Sequence, residues 1–186
     1  MQCFKAVLSA ALLALVSAAC LQPSEARGWR AYGARGVAGA HGGSYTGANG
    51  GTFTGARGGF AGQNAGLFGG AFRGTGANGG TAQGAGLAGY KRGVGAFEGT
   101  NMSAVGAKGS TYNGFTRGKY NAQSGQGSYD ASHQVYDAQN GKDYGDTNQT
   151  SFTKGQGGVT QLDTDNHGDY SIDWKQGTKP VITPDQ

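Results

Sequence analysis

Large flat side chains recur at a nearly fixed step through the C-terminal half of this chain. Aromatics stand at Tyr112, Tyr120, Tyr129, Tyr136, Tyr144 and Phe152, spaced 8, 9, 7, 8 and 8 residues apart. Turn-forming residues fill the gaps: Thr-Arg-Gly-Lys at 116–119, Ser-Gly-Gln-Gly at 124–127 and Asn-Gly-Lys at 140–142. One aromatic, then one turn, repeated, predicts short strands folded back on one another. The beat continues upstream through Tyr45, Phe53, Phe60 and Phe68, and downstream through Val159 and Trp174. Tyr170-Ser-Ile172-Asp-Trp174 alternates apolar and polar and predicts a terminal strand. The expected fold is all-β, a single-layer antiparallel meander of short tandem hairpins. The six aromatics from Tyr112 to Phe152 then form a structural ladder across one face. A β-solenoid with 16-residue coils is the alternative, because like residues 16 apart would stack on adjacent layers.

Internal repeats support a tandem unit. Thr46-Gly-Ala-Asn-Gly-Gly-Thr52 recurs as Thr75-Gly-Ala-Asn-Gly-Gly-Thr81, and Val105-Gly-Ala-Lys-Gly-Ser-Thr111 is a worn third copy. Asn-Gly between Thr-rich flanks predicts a two-residue hairpin turn in which both central positions have φ > 0. Tyr120-Asn-Ala-Gln-Ser-Gly and Tyr136-Asp-Ala-Gln-Asn-Gly repeat 16 residues apart, and Gly93, Gly109, Gly125, Gly141 and Gly157 keep the same step. Duplication of a strand–turn–strand unit accounts for both.

Composition narrows the class. The chain has 186 residues and 39 Gly, none of them before Gly28. From Arg27 on, Leu, Ile, Val and Phe make up 18 of 160 residues, too few for an ordinary core. A conventional globular enzyme is therefore not expected. His41, His133 and His167 are scattered, and no catalytic residues and no cofactor are assigned. Charge is polarised. Residues 27–119 hold ten basic side chains and only Glu98, whereas residues 120–186 hold four Lys against nine Asp. Such a chain can pack head to tail or lay its basic end on an anionic surface.

These shifts divide the chain into a leader at 1–26, a flexible basic lead-in at 27–44, a glycine-rich repeat region at 45–109, a better-ordered β-repeat region at 110–176 and a C-terminal tail at 177–186. The glycine-rich N-terminal part is expected to be disordered, most of all over 61–90. Lys5 followed by an uncharged apolar run to Ala19 reads as an export signal, too short for a comfortable span. Val16-Ser-Ala-Ala-Cys20 resembles a bacterial lipobox, which implies lipidation of Cys20. Ser24-Glu-Ala26 offers a second cleavage site. Cys3 and Cys20 are the only cysteines, so neither cut leaves a disulfide in the exported chain.

Three local motifs suggest chemistry. Asp163-Thr-Asp165-Asn-His-Gly-Asp169 resembles a calcium loop, with carboxylates alternating around a bend. His167 and Trp174 stand where oxygen ligands belong, so an acidic turn is the competing reading and Asp163, Asp165 and Asp169 are only a weak calcium candidate. Arg57-Gly-Gly-Phe60 resembles RNA-binding boxes, but the leader directs the chain away from RNA and no nucleic-acid partner is expected. Gln123-Ser-Gly125 with Gln134 resembles part of a curli-type amyloid repeat, which implies fibre formation.

The lipobox-like leader, the glycine-rich hairpins and the acidic Tyr-rich end together resemble glycine-rich tandem-repeat exported proteins and lipoproteins of Gram-negative bacteria. The resemblance implies an envelope address: an outer-membrane lipoprotein, or a periplasmic or extracellular protein. The expected role is non-enzymatic and structural, with self-association or contact with the envelope surface, and no small-molecule substrate. The alternatives are a surface adhesin or glycan-binding module using the Tyr row, and a curli-like fibre subunit.

Overall fold

A computed structural model of the chain describes residues 27–34, 36–165 and 167–185. The leader, Cys20 and both cleavage sites lie outside the described residues. Twelve strands follow one another: β1 (Arg27–Gly33), β2 (Gly36–Thr46), β3 (Thr52–Ala61), β4 (Ala65–Thr75), β5 (Thr81–Lys91), β6 (Gly95–Val105), β7 (Thr111–Asn121), β8 (Gln126–Asp137), β9 (Lys142–Thr153), β10 (Gly157–Thr164), β11 (Tyr170–Trp174) and β12 (Val181–Pro184). They form one open sheet in which every strand pairs antiparallel with its sequence neighbour. The expected meander is what is found, in one layer.

The strands are longer than the eight-residue beat suggested. β7 spans 11 residues and carries both Tyr112 and Tyr120. β8 carries Tyr129 and Tyr136, and β9 carries Tyr144 and Phe152. The repeating unit is thus one strand with an aromatic near each end, and the 116–119 segment read as a turn lies inside β7. Eight residues is an even step, so the two rings of β7 point to the same side, as do those of β9. The single step of seven sends Tyr136 to the opposite face from Tyr129. Five of the six ladder residues therefore share a face, and Tyr136 does not.

The 16-residue glycine step is the length of one strand plus one turn. Gly93, Gly109, Gly125, Gly141 and Gly157 all have positive φ, between 66° and 116°. In the 29- and 30-residue repeats, each copy joins a different hairpin at the same end of the sheet: β2 to β3, β4 to β5, and β6 to β7. The three turns have one geometry. Gly47 N–H donates to the Gly51 carbonyl at 2.8 Å and Gly50 N–H to the Gly47 carbonyl at 3.0 Å. Gly76 and Gly79 make the same pair of bonds, at 2.6 and 3.0 Å, and Gly106 and Gly109 make it at 2.7 and 2.9 Å. The loop is three residues, not two. Gly50 has φ 82°, and no residue other than glycine has positive φ among the described residues. Asn49 is therefore right-handed. This is the type I turn closed by a left-handed glycine, and it replaces the two-residue turn expected from Asn-Gly.

Strands also run through parts read as flexible or as tail. Residues 27–44 carry β1 and most of β2, and the glycine-dense 61–90 segment carries β4 and most of β5. Val181–Pro184 pairs with β11 as a short edge strand. The reason these segments can pair lies in how their glycines are covered.

Candidate functional site: the aromatic face of the sheet

Residues directly opposite in an antiparallel pair share a face, so the continuous register assigns every side chain to a side. Trp29, Phe60, Phe97, Phe115 and Tyr136 project to one side. The other aromatics of the strands project to the opposite side, here termed the aromatic face. The sheet has almost no interior. Only Gly66, Gly89 and Ala131 are buried among the described residues.

Two of those three lie under rings. Gly66 is opposite Tyr90, and Gly89 is opposite Phe97. A methyl group built on Gly66 would collide with the Tyr90 ring, and one on Gly89 would stand 2.7 Å from the Phe97 ring. The arrangement recurs across the sheet. The ring of Phe72 covers Gly84, that of Phe68 meets Gly59, that of Phe152 covers Gly127 and that of Trp174 covers Gly158, each pair directly opposite in register. A large ring laid over a cross-strand glycine restores the contacts that the missing side chain forgoes. This is how a chain so rich in glycine and so poor in aliphatics packs a sheet at all: the core is spread thinly over its surface.

One row of the aromatic face is the most regular. Reading across the strands, Tyr90 is followed by Ala96, Tyr120, Gly127, Phe152, Gly158 and Trp174. Odd-numbered strands give the ring and even-numbered strands give the small residue. The Tyr120 and Phe152 centroids are 6.2 Å apart with planes 6° from parallel, and Phe152 and Trp174 are 6.4 Å apart. Tyr90 donates its hydroxyl to the Gly62 carbonyl at 2.7 Å. Near the opposite ends of the same strands runs a second row that includes Tyr112, Val135 and Tyr144. Tyr112 folds over Gly114, and its hydroxyl is 2.7 Å from His133 Nδ1. Tyr129 lies between the rows. The aromatic face leaves many rings open to solvent, with Tyr45 69% and Phe53 49% exposed.

The opposite face carries the sorted charges. Arg73, Lys91, Arg117 and Lys119 stand on β4–β7, and Asp130, Asp143, Asp163 and Asp173 on β8–β11. Arg117 and Asp130 pair at 2.8 Å where the two halves meet.

The calcium candidate sits in the β10–β11 turn. Its carboxylates do not form a metal cage: among the described residues no group of three or more His, Cys, Asp or Glu is placed to hold a metal ion. The turn closes on itself instead. Thr164 Oγ1 donates to the Gly168 carbonyl at 2.9 Å and accepts from His167 N–H at 3.1 Å, and Tyr170 donates to the His167 carbonyl at 2.7 Å. A hydrogen bond to Asp169, and its charge, raise the pKa of the exposed Asp163 carboxyl from its ordinary value; slight desolvation and the Asp165 charge act in the same direction. The glycine-covering role of the rings was not read from the sequence. Its signal was there in the pairing of an aromatic on one strand with a glycine on the next, which only the register makes visible. Comparisons with protein-family models, with curated proteins and with solved structures found no match for this chain.

Proposed function

We propose that this protein is a non-enzymatic structural component of an exported surface, working as a broad ribbon whose faces are covered by neighbouring molecules. The observation that carries the reading is the open twelve-stranded layer with rings exposed on both sides and only three buried residues among those described. Exposed apolar surface on this scale marks an interaction surface. The export-type leader supplies the address, with Cys20 as the lipid anchor point or Arg27 as the new N-terminus. Partners in this reading are further copies of the chain and the envelope surface, with neither nucleic acid nor a small-molecule substrate. Expression with the native leader, cell fractionation and intact mass of the recovered protein test it. The expected result is an envelope or extracellular protein beginning at an acylated Cys20 or at Arg27. A cytoplasmic protein that retains Met1 overturns it.

The stacked pair of Tyr120 and Phe152, with Trp174 tilted beside it, favours a second reading, a glycan-binding module, since sugar rings stack on aromatic faces. Retention on a glycan array that is lost in Tyr120→Ala supports that reading, and an array without retention removes it. The curli-like reading is disfavoured by the β12 edge. That strand has four residues, follows Pro180 and ends in Pro184, features that block pairing with a further strand.

A further inference from the structure

We infer that the aromatic face packs against the same face of a second copy, about a two-fold axis running parallel to the strands between β6 and β7. The inference rests on the reading of the sheet as a covered structural surface and names what covers it.

The two halves of the aromatic face differ in shape. From β2 to β6 it is floored largely by Gly and Ala; from β7 to β11 it is mostly built of larger side chains. A two-fold axis along the strands places β6 over β7 of the copy, β5 over β8 and β4 over β9. Odd-numbered strands then always meet even-numbered ones. In the row of Tyr120, Ala96 meets Tyr120, Tyr90 meets Gly127 and Gly66 meets Phe152. In the row of Tyr112, Ala104 meets Tyr112, Ala82 meets Val135 and Gly74 meets Tyr144. Between them Ala88 meets Tyr129. Large faces small in every one of these pairs. The other two-fold axis that brings the faces together with their strands aligned runs across the strands and lays each strand over itself. That axis sets Tyr120 on Tyr112 and Phe152 on Tyr144, large upon large.

Area agrees with the first axis. The six central strands, about 4.8 Å apart and ten residues long at about 3.3 Å each, present roughly 950 Å² per copy. Two such faces bury about 1,900 Å², the size of a stable specific interface. Closed two-fold symmetry is also the commonest solution for identical chains.

Spin labels read the axis directly. Ala107 sits at the exposed tip of the β6–β7 turn, beside the proposed axis. In the chain purified after export, with Cys20→Ser where the cut leaves Cys20 in place, Ala107→Cys provides the single thiol. With sheets packed about 10 Å apart, the two labels should lie roughly 10–15 Å from each other. An Asn49→Cys label, four strands from the axis, should read about 40 Å, eight strand spacings. An Ala107 distance beyond about 33 Å, one strand length, overturns this axis in favour of the other. Absence of dipolar coupling together with sedimentation as a monomer overturns the sandwich itself, and leaves the envelope address to stand or fall by fractionation.

Discussion

The Tyr90 ring lies across Gly66 on the neighbouring strand and ties its hydroxyl to the Gly62 carbonyl at 2.7 Å. Gly66 is one of three buried residues among those described, and its burial comes from that ring. Gly66→Val should therefore displace Tyr90 and cost about 1–3 kcal/mol, the usual range for overpacking. Tyr90→Phe removes only the hydroxyl bond and should cost about 0.5–1.5 kcal/mol. Gly99, whose nearest neighbour to an added methyl is the Thr116 carbonyl at 3.6 Å, is the control. Gly99→Ala should stay within about 0.5 kcal/mol of the parent. Urea unfolding midpoints of the three variants check the order.

Phe152 is held on both sides, by Tyr120 at 6.2 Å and Trp174 at 6.4 Å, and covers Gly127 beneath. Phe152→Ala removes a half-buried ring and two ring contacts, and should cost about 2–3 kcal/mol. Tyr144→Ala, at the more exposed end of the same strand, should cost less than about 1 kcal/mol. Near-ultraviolet circular dichroism should lose more of its aromatic signal in the first variant than in the second.

The turn glycines make a separate set. Gly125 has φ 69°, and Asn121 Oδ1 accepts from the N–H groups of Gln123 and Ser124 at 2.9 and 3.3 Å. Gly125→Ala forces a Cβ into the left-handed region and should cost about 1–2 kcal/mol. Asn121→Ala leaves two turn amides without their acceptor and should cost about 1 kcal/mol. Amide exchange at 122–126 should rise in both variants, with the far end of β7 unchanged.

Much of this architecture was readable in the sequence because turns and strands have fixed lengths. The 16-residue step of Gly93, Gly109, Gly125, Gly141 and Gly157 is a strand plus a turn, and each of these glycines takes the positive φ that only glycine adopts freely. The aromatic step of eight was misleading for a physical reason. It equals the distance between the two ends of one strand as well as the distance across a turn, so periodicity alone does not separate one ring per strand from two. Tyr136 shows the cost of a single odd step, since seven residues reverse the side. The glycine-dense 61–90 segment looked unable to order itself because its own sequence has few large side chains. The rings of Phe68, Phe72 and Phe97 supply cover across strand boundaries, and that depends on register rather than on composition.

The β10–β11 turn is predicted to tighten in acid. The Asp163 carboxyl is raised by its hydrogen bond to Asp169 and by the charges of Asp169 and Asp165. A carboxyl with a raised folded-state pKa binds its proton more readily folded than unfolded. Its contribution is therefore fully present below the unfolded value and is lost as pH rises through the folded value. Amide protection across 164–169 should increase as pH falls from neutral toward the carboxylate range. Asp163→Asn should remove that dependence. Protection that falls on acidification in the parent, or stays unchanged, contradicts the crowding of Asp163 and Asp169.

Rings lying over cross-strand glycines hold the single open layer together. The most direct test is proton NMR of the exported chain at the α-protons of Gly66, Gly127 and Gly158. Each should show nuclear Overhauser contacts to the ring of Tyr90, Phe152 or Trp174 respectively, and should be shifted upfield by that ring. Glycine α-protons at their random-coil positions, with no contact to those rings, would contradict the central claim.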